Sequence, residues 1–430
     1  MKRRDKLNIY YNKYERLLKI FSASVLLRGA IVVINLYTGI LFGREMGEAN
    51  RGLLFNLFLG ALLLFNVALN FGYNGSAMYF AKKNPSKLHL YLTTNFIITL
   101  ISVIFIILSL FFFSIYFKFQ SDSLRIVFLL CYIAYSFSMI YRSFLIGMDE
   151  NLFMQKVDFL TRSVYAIFIL VSLYFHALTV LSVAIFLVLE YTVFTLIAHR
   201  KVKLKLWPLQ WDYAFFKENI LFNSKAYLAA LLYIFLLKAD QFIIKIFYGN
   251  FQVGVYGLGG TIIDNLFMIT AIISTMYLPK ILGNDNFTEV LHKSKKILGF
   301  ILLSSIGIAL LIFPASPYIM EIYYKKLNPE GTECLRILLL GFISLSVFIF
   351  NYQLYFSVRL KKSLLILLGI SLVLNMVLNY LWLPKYGIIG SAWASSVSYT
   401  VLATLTMIDL YVIKRRNYER RILVQDEERQ

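Results

Sequence analysis

The chain has 430 residues, 59% of them hydrophobic and 15% charged, against roughly 45–50% apolar and roughly 25% charged in an average soluble domain. Such a chain has too little polar surface to fold in water. Its formal net charge of +20 does not point to a nucleic-acid partner either, because the cations lie in short segments beside long apolar stretches.

Twelve apolar stretches of membrane-crossing length follow in order: 19–43, 52–73, 88–117, 126–146, 160–177, 178–198, 224–247, 253–278, 297–319, 337–357, 363–383 and 387–413. Backbone in hydrocarbon must bond to itself, so these stretches predict helices. The turn between the fifth and sixth is marked only by His176 and Ala177. The N-terminus, with Lys2, Arg3, Arg4 and Lys6, resembles a signal n-region. The apolar stretch that follows is too long for a signal core and lacks a small-residue cleavage site, so the segment is read as retained. With both termini in the cytoplasm, inside segments hold 31 of the 43 Lys and Arg residues, while outside loops hold eight, among them Arg44 and Arg51. That excess fixes the expected orientation of a multi-pass protein of the cytoplasmic membrane. Cys131 and Cys334, the two cysteines, fall in different halves and predict no disulfide framework.

The basic connection from His199 to Glu218, with Arg200, Lys201, Lys203, Lys205 and Pro208, divides the chain near its middle. The expected class is therefore an all-α integral membrane protein of about twelve transmembrane helices. An N-terminal six-helix bundle would span 1–210, a C-terminal one 211–414, and a basic cytoplasmic tail 415–430. The junction Leu41 to Gly52 is echoed by Tyr248 to Gly259, with Gly47 and Gly52 falling on Gly254 and Gly259 at an offset of 207 residues. Six spans per half keep both halves in one orientation, which predicts a pseudo-two-fold axis along the membrane normal and a central cavity.

No nucleotide-binding loop, serine-hydrolase elbow or metal-spaced His/Cys cluster occurs, and no loop is long enough to bury a catalytic core. Enzyme chemistry, a cofactor and a metal site are not expected. Ionisable residues within spans are the informative ones, since each costs roughly 2.5–3.5 kcal/mol at mid-bilayer on insertion scales. Arg28 lies in the first span with Ser24 and Asn35 at helical spacing. Glu190 lies in the sixth span, Lys238 and Asp240 in the seventh, and Asp264 in the eighth. Arg28 could pair structurally with Glu190 or Asp264. Alternatively, Arg28 and Lys238 attract an anionic head group while Asp264, Glu190 or Asp240 takes a coupling Na⁺ or H⁺. Tyr135, Ser138 and Arg142 share one face of the fourth span, and Asn351 and Tyr355 one face of the tenth. Ser371, Asn375 and Asn379 form a stripe in the eleventh and Asn66 and Asn70 one in the second. Such amides either join helices or face sugar hydroxyls.

The run from Asn375 to Ser396, NMVLNYLWLPKYGIIGSAWASS with Asn375 first, resembles the segment between the last two spans of bacterial polysaccharide-unit flippases: an N-x-x-x-N-Y stretch, a proline, a Y-G-x-x-G turn and small residues. Gly43 to Gly52 and Asp240 to Tyr256 resemble the junctions after the first and seventh spans of the same family. The resemblance implies the multidrug/oligosaccharidyl-lipid/polysaccharide exporter superfamily. It further implies an alternating-access flippase for undecaprenyl-diphosphate-linked units of O-antigen, capsule or a related glycan. A lipid-linked oligosaccharide would be the cargo, with membrane lipids and a polysaccharide polymerase machinery as partners. Arg28, Lys238, Asn35, Tyr135, Arg142 and Asn375 are then the substrate-binding candidates, and Asp264, Glu190 and Asp240 the ion-coupling ones. One rival is a cation-coupled drug antiporter of the same superfamily, for which an acidic and apolar cavity is expected. The other is a membrane-embedded glycan polymerase or ligase, for which the outer stretch from Met320 to Arg336 is short.

Overall fold

The computed structural model of the protein describes residues 2–83, 85–112, 121–282, 287–324, 328–357 and 362–427. The expected third-span residues 113–117 and the last residues of the basic tail, 428–430, lie outside the described residues. Helices are the regular structure throughout: α1 Lys2–Glu45, α2 Gly47–Leu54, a π-helical stretch Phe55–Ala61, α3 Leu62–Asn70, α4 Tyr73–Lys83, α5 Leu88–Phe112, α6 Asp122–Gly147, α7 Asn151–Tyr174, α8 Val180–Val202, α9 Tyr213–Leu282, α10 Phe287–Tyr324, α11 Pro329–Ser357 and α12 Lys362–Glu427. No strand occurs among the described residues. Among the described residues, ten runs are long and apolar enough to cross a membrane. Two of them, in α9 and α12, are interrupted by non-helical glycines, Gly249 and Gly387, so the ten runs carry twelve spans.

Chain contacts divide the molecule into two compact units: Met1–Thr38 with Gly72–Phe222, and Gly39–Phe71 with Asn223–Gln430. The second span thus groups with the C-terminal helices. In unit 1, α6 packs on α4, α5 and α8, and α7 on α8. In unit 2, α11 packs on α10 and α12.

Local closure signals account for the short turns of unit 1. After α7, His176 adopts left-handed backbone, His176 N donates to Leu173 O (3.0 Å) and Ala177 N to Ser172 O (2.8 Å). This is the paired closure that satisfies the last carbonyls of a helix, and it stands where the sequence marked the turn. Thr179 then caps α8 through a reciprocal pair of bonds with Ser182. The same closure recurs after α6: Asp149 is left-handed, and Asp149 N and Glu150 N donate to Ile146 O and Leu145 O at 3.1 and 2.8 Å. Its compactness corrects the expected boundary. The fifth span begins at Asn151 rather than at 160, which draws Lys156 and Asp158 into the helix instead of a cytoplasmic loop and moves Arg162 from the edge of the span toward its middle.

The internal echo is real but in a different register. Gly47 and Gly249 have φ of +72° and +75°, a conformation that a side chain disfavours. Five residues after each stands a glycine pressed on backbone. A Cβ on Gly52 would overlap the carbonyl oxygen of Asn250, and one on Gly254 would overlap that of Glu48. Glu48 and Asn250 are themselves equivalent under a shift of 202 residues, so the contact is reciprocal, as across a local two-fold axis. The offset of 207 is therefore replaced by 202, because backbone conformation rather than glycine spacing defines the equivalent positions.

Arg51 locks this contact. It is fully buried in α2 instead of lying in an outer loop. Its Nη2 donates to Gly254 O at 2.9 Å and to the Tyr324 hydroxyl, and its guanidinium lies 4.6 Å from the Tyr324 ring centroid. One helical turn on, Asn56 of the π-helical stretch accepts from Lys245 Nζ at 3.2 Å. Gly254→Ala is expected to destabilise the protein by about 1–3 kcal/mol through overpacking, read as a lower thermal midpoint in detergent. Gly299→Ala, whose methyl would meet nothing within 4 Å, should leave that midpoint unlowered.

Candidate functional site

Each unit carries a cluster of ionisable side chains within its membrane spans. In unit 1, Arg142 of α6 sets Nη1 2.5 Å from Asp158 Oδ1 of α7, with its guanidinium 4.0 Å from the Phe194 ring. Arg162, also on α7, pairs Nη1 with Glu190 Oε2 of α8 at 2.9 Å and lies 5.0 Å from the Tyr165 ring. Arg162 is eleven residues into its span, or roughly 16 Å along the axis. Both carboxylates are 8% exposed, whereas the two arginine side chains keep 23% and 25%. The acids sit behind and the guanidinium groups in front.

Arg28 of α1 is half-buried and within electrostatic range of Asp158 and Arg142. It has no ion-pair partner within 4.0 Å among the described residues. Within unit 1, Glu190 pairs with Arg162. The cluster therefore holds three guanidinium groups against two carboxylates, a positive surplus in a low-dielectric setting where charge acts strongly. Tyr135 belongs to it as well: its ring meets Tyr191 edge-on at 5.1 Å. Asn35 lies two turns beyond Arg28 on α1, where its backbone oxygen accepts from Thr38 at 3.1 Å.

Unit 2 holds the remaining candidates. Lys238 Nζ lies 2.9 Å from Asp264 Oδ2, the lysine buried and the aspartate about half exposed. Asp240, 3% exposed, is held by neutral donors instead: the Tyr256 hydroxyl, the Ser395 hydroxyl (3.1 Å) and Gln241 N (2.7 Å). Lys238, Asp240, Gln241, Tyr256, Asp264 and Tyr399 line a cavity of about 30 Å³, room for roughly two water molecules at about 10–15 Å³ each.

From Ser395 the network runs on through α12. Asn375 Nδ2 donates to Ser395 Oγ at 3.2 Å, Asn379 Nδ2 to Asn375 O at 2.9 Å, and Ser391 Oγ to Asn379 Oδ1 at 2.5 Å. These residues stand on either side of the break at Gly387. The asparagine stripe thus joins the last two spans, the role expected of buried amides between membrane helices.

The structure brings Arg28, Tyr135, Arg142 and Glu190 into one cluster and Lys238, Asp240, Asp264 and Asn375 into another. With the fifth span starting at Asn151 rather than at 160, Asp158 moves into it and Arg162 from its edge toward its middle, and neither stands among the residues expected from sequence. A signal for them was present, since Asp158 and Arg162 are spaced i, i+4 on a single helical face.

Comparison with known proteins agrees with this architecture. The MatE family profile matches residues 226–381. An uncharacterized membrane protein of Methanocaldococcus jannaschii, MJ1375, is 30% identical over 159 residues, covering 37% of this chain and 37% of that protein. The chain thus matches little more than a third of that relative's length. Among solved structures, the lipid II flippase MurJ in an inward closed conformation superposes with a TM-score of 0.70 at 16% identity, over 91% of this chain and 87% of that one. An inward-facing multidrug resistance MATE family transporter of the MOP superfamily gives 0.70 at 13% identity, over 91% and 99%. A MOP superfamily transporter from Pyrococcus furiosus, described by the reverse polarity of its binding pocket, gives 0.67 at 14% identity, over 92% and 97%. The protein is a multi-pass helical membrane protein with the fold of MOP superfamily transporters. These three solved proteins are, by name, a flippase and two transporters.

Arg162→Ala strands Glu190 at a site 8% exposed. The expected cost is about 3 kcal/mol, the lower end for a broken buried pair because the arginine is partly exposed. Replacing both partners by glutamine should recover most of it in unfolding from micelles.

Proposed function

We propose that the protein is a flippase that moves undecaprenyl-diphosphate-linked oligosaccharide repeat units across a bacterial cytoplasmic membrane by alternating access, for surface polysaccharide assembly. The observation that carries this reading is the surplus of guanidinium groups in unit 1. Arg28, Arg142 and Arg162 face Asp158 and Glu190, which leaves one positive charge to be matched by cargo. A diphosphate is an anion that planar guanidinium forks bind well, by paired charge-assisted hydrogen bonds. Arg28, with no ion-pair partner among the described residues, is the first side chain available to it. Lys238 ranks second because it already holds Asp264. The polyprenyl tail stays in lipid while the charged head group avoids hydrocarbon, where its desolvation would be prohibitive. One of the solved structures compared above is that of a lipid II flippase, which supports a lipid cargo here.

The three acidic candidates separate on their partners. Glu190 and Asp264 answer to cations, whereas Asp240 sits among hydroxyls and amides. Asp240, held by the Tyr256 and Ser395 hydroxyls and Gln241 N rather than by a cation, is the carboxylate that suits a coupling Na⁺ or proton. The lysine and arginine excess of the inside segments supports cytoplasmic termini.

A cation-coupled drug antiporter is the second reading, favoured by the MatE match over 226–381. The arginine surplus weighs against it, because a cationic drug would be repelled. Cells that depend on this protein for repeat-unit export decide between the two. Arg28→Ala, at normal abundance, is expected to reduce export at least tenfold, with Arg28→Lys restoring part of it; wild-type export by Arg28→Ala would overturn the reading. Asp240→Asn should abolish the dependence of export on the Na⁺ or proton gradient. Drug susceptibility should follow neither variant.

A further inference from the structure

Between α8 and α9 the chain forms a strap, residues 203–212, on one end of unit 1. Its side chains alternate. Leu204 and Leu206, following Val202 at the end of α8, pack on the core that contains Tyr91, Tyr141 and Phe144, while Lys203, Lys205 and Trp207 point outward and are exposed, as is Lys201 of α8. The strap is tied down by backbone contacts rather than left loose. His89 of α5 sets Nδ1 2.6 Å from Lys205 O and Nε2 3.0 Å from Pro208 O, and Thr93 Oγ1 donates to Gln210 O at 2.8 Å. The outer face so fixed continues past the lysines with Trp207 (74% exposed), Leu209, Trp211 (45%) and Tyr213 (65%).

We infer that this face docks on the anionic phospholipid head groups of the membrane that the protein crosses. The strap joins the end of one span to the start of the next, which sets it at the level of the head groups. Indole and phenol rings favour that level because they offer an apolar body and a polar tip. Held in water, two exposed tryptophans beside an exposed leucine would cost solvation with no return. The lysines specify the sign of the surface. Lys201 is neutralised by Glu150 at 2.9 Å, but Lys203 and Lys205 have no carboxylate within 4.0 Å among the described residues. Asp212, the acidic residue of the strap, spends one oxygen on capping α9, accepting from Phe215 N at 3.0 Å. A row of unneutralised lysines next to rings at interfacial depth matches a continuous anionic surface.

The inference is independent of the cargo and can be tested with the protein's own fluorescence. The chain has four tryptophans, so Trp382→Phe with Trp393→Phe leaves only the two of the strap. The full-length variant is reconstituted into vesicles whose lipids carry bromine near the glycerol end of the acyl chains. In phosphatidylglycerol the emission is expected to fall at least twofold, and less in phosphatidylcholine. Lys203→Gln with Lys205→Gln should abolish the difference between the two lipids, and His89→Ala, which unties the strap, should reduce quenching in both. Full quenching by aqueous iodide with no effect of bromolipid would overturn the inference. So would equal quenching in both lipids that the lysine variant leaves unchanged. Should the double phenylalanine variant fail to fold, the difference between wild type and Trp207→Phe with Trp211→Phe supplies the same readout.

Discussion

An ionised side chain in hydrocarbon has to be answered within a few ångströms, and that requirement organises both units. In unit 1 it draws α6, α7 and α8 together through Arg142 with Asp158 and Arg162 with Glu190. In unit 2 it ties the two parts of α9 through Lys238 and Asp264. Neutral polar residues meet the same demand more gently: Asp240 is carried by hydroxyl and amide donors, and the chain of bonds from Ser395 to Ser391 spans the break in α12. Not every cation is met by a carboxylate: Arg51 of unit 2 is held by a backbone carbonyl and a tyrosine hydroxyl, and Arg28 of unit 1 lies within electrostatic range of Asp158 with no ion pair among the described residues.

Much of the architecture was legible in the chain because hydropathy reports directly on the solvent. Twelve spans, the turn at His176 and the break near Gly387 were all visible as patterns of apolar and turn-forming residues. The turn at Asp149 was not, because a three-residue closure leaves almost no polar gap, and the charges that follow it look like a loop. They look so for a physical reason: Asp158 and Arg162 are satisfied by Arg142 and Glu190 of neighbouring helices, which a single stretch of sequence cannot display. Arg51 escaped for the opposite reason. It follows a glycine junction and reads as an outer-loop cation, yet a backbone carbonyl and a tyrosine bury it.

The repeat illustrates the limit of matching letters. Glycines lie at 47, 52, 254 and 259 with equal spacing, and the eye aligns them. Conformation aligns 47 with 249 and 52 with 254 instead, since positive φ marks one position of each pair and backbone contact the other. The candidate residues were partly legible in the same sense. Depth in a span picked out Arg28, Glu190, Lys238, Asp240 and Asp264 as residues needing an explanation, but only the fold says which of them answer one another.

The reciprocal seating of Gly52 on Asn250 and Gly254 on Glu48 has a mechanical consequence. Two rods that touch at one place can swivel about it, while two that touch at a matched pair of places resist torsion as well as separation. Because both seats need a residue without a side chain, enlarging either one would turn a rigid splice into a loose pivot.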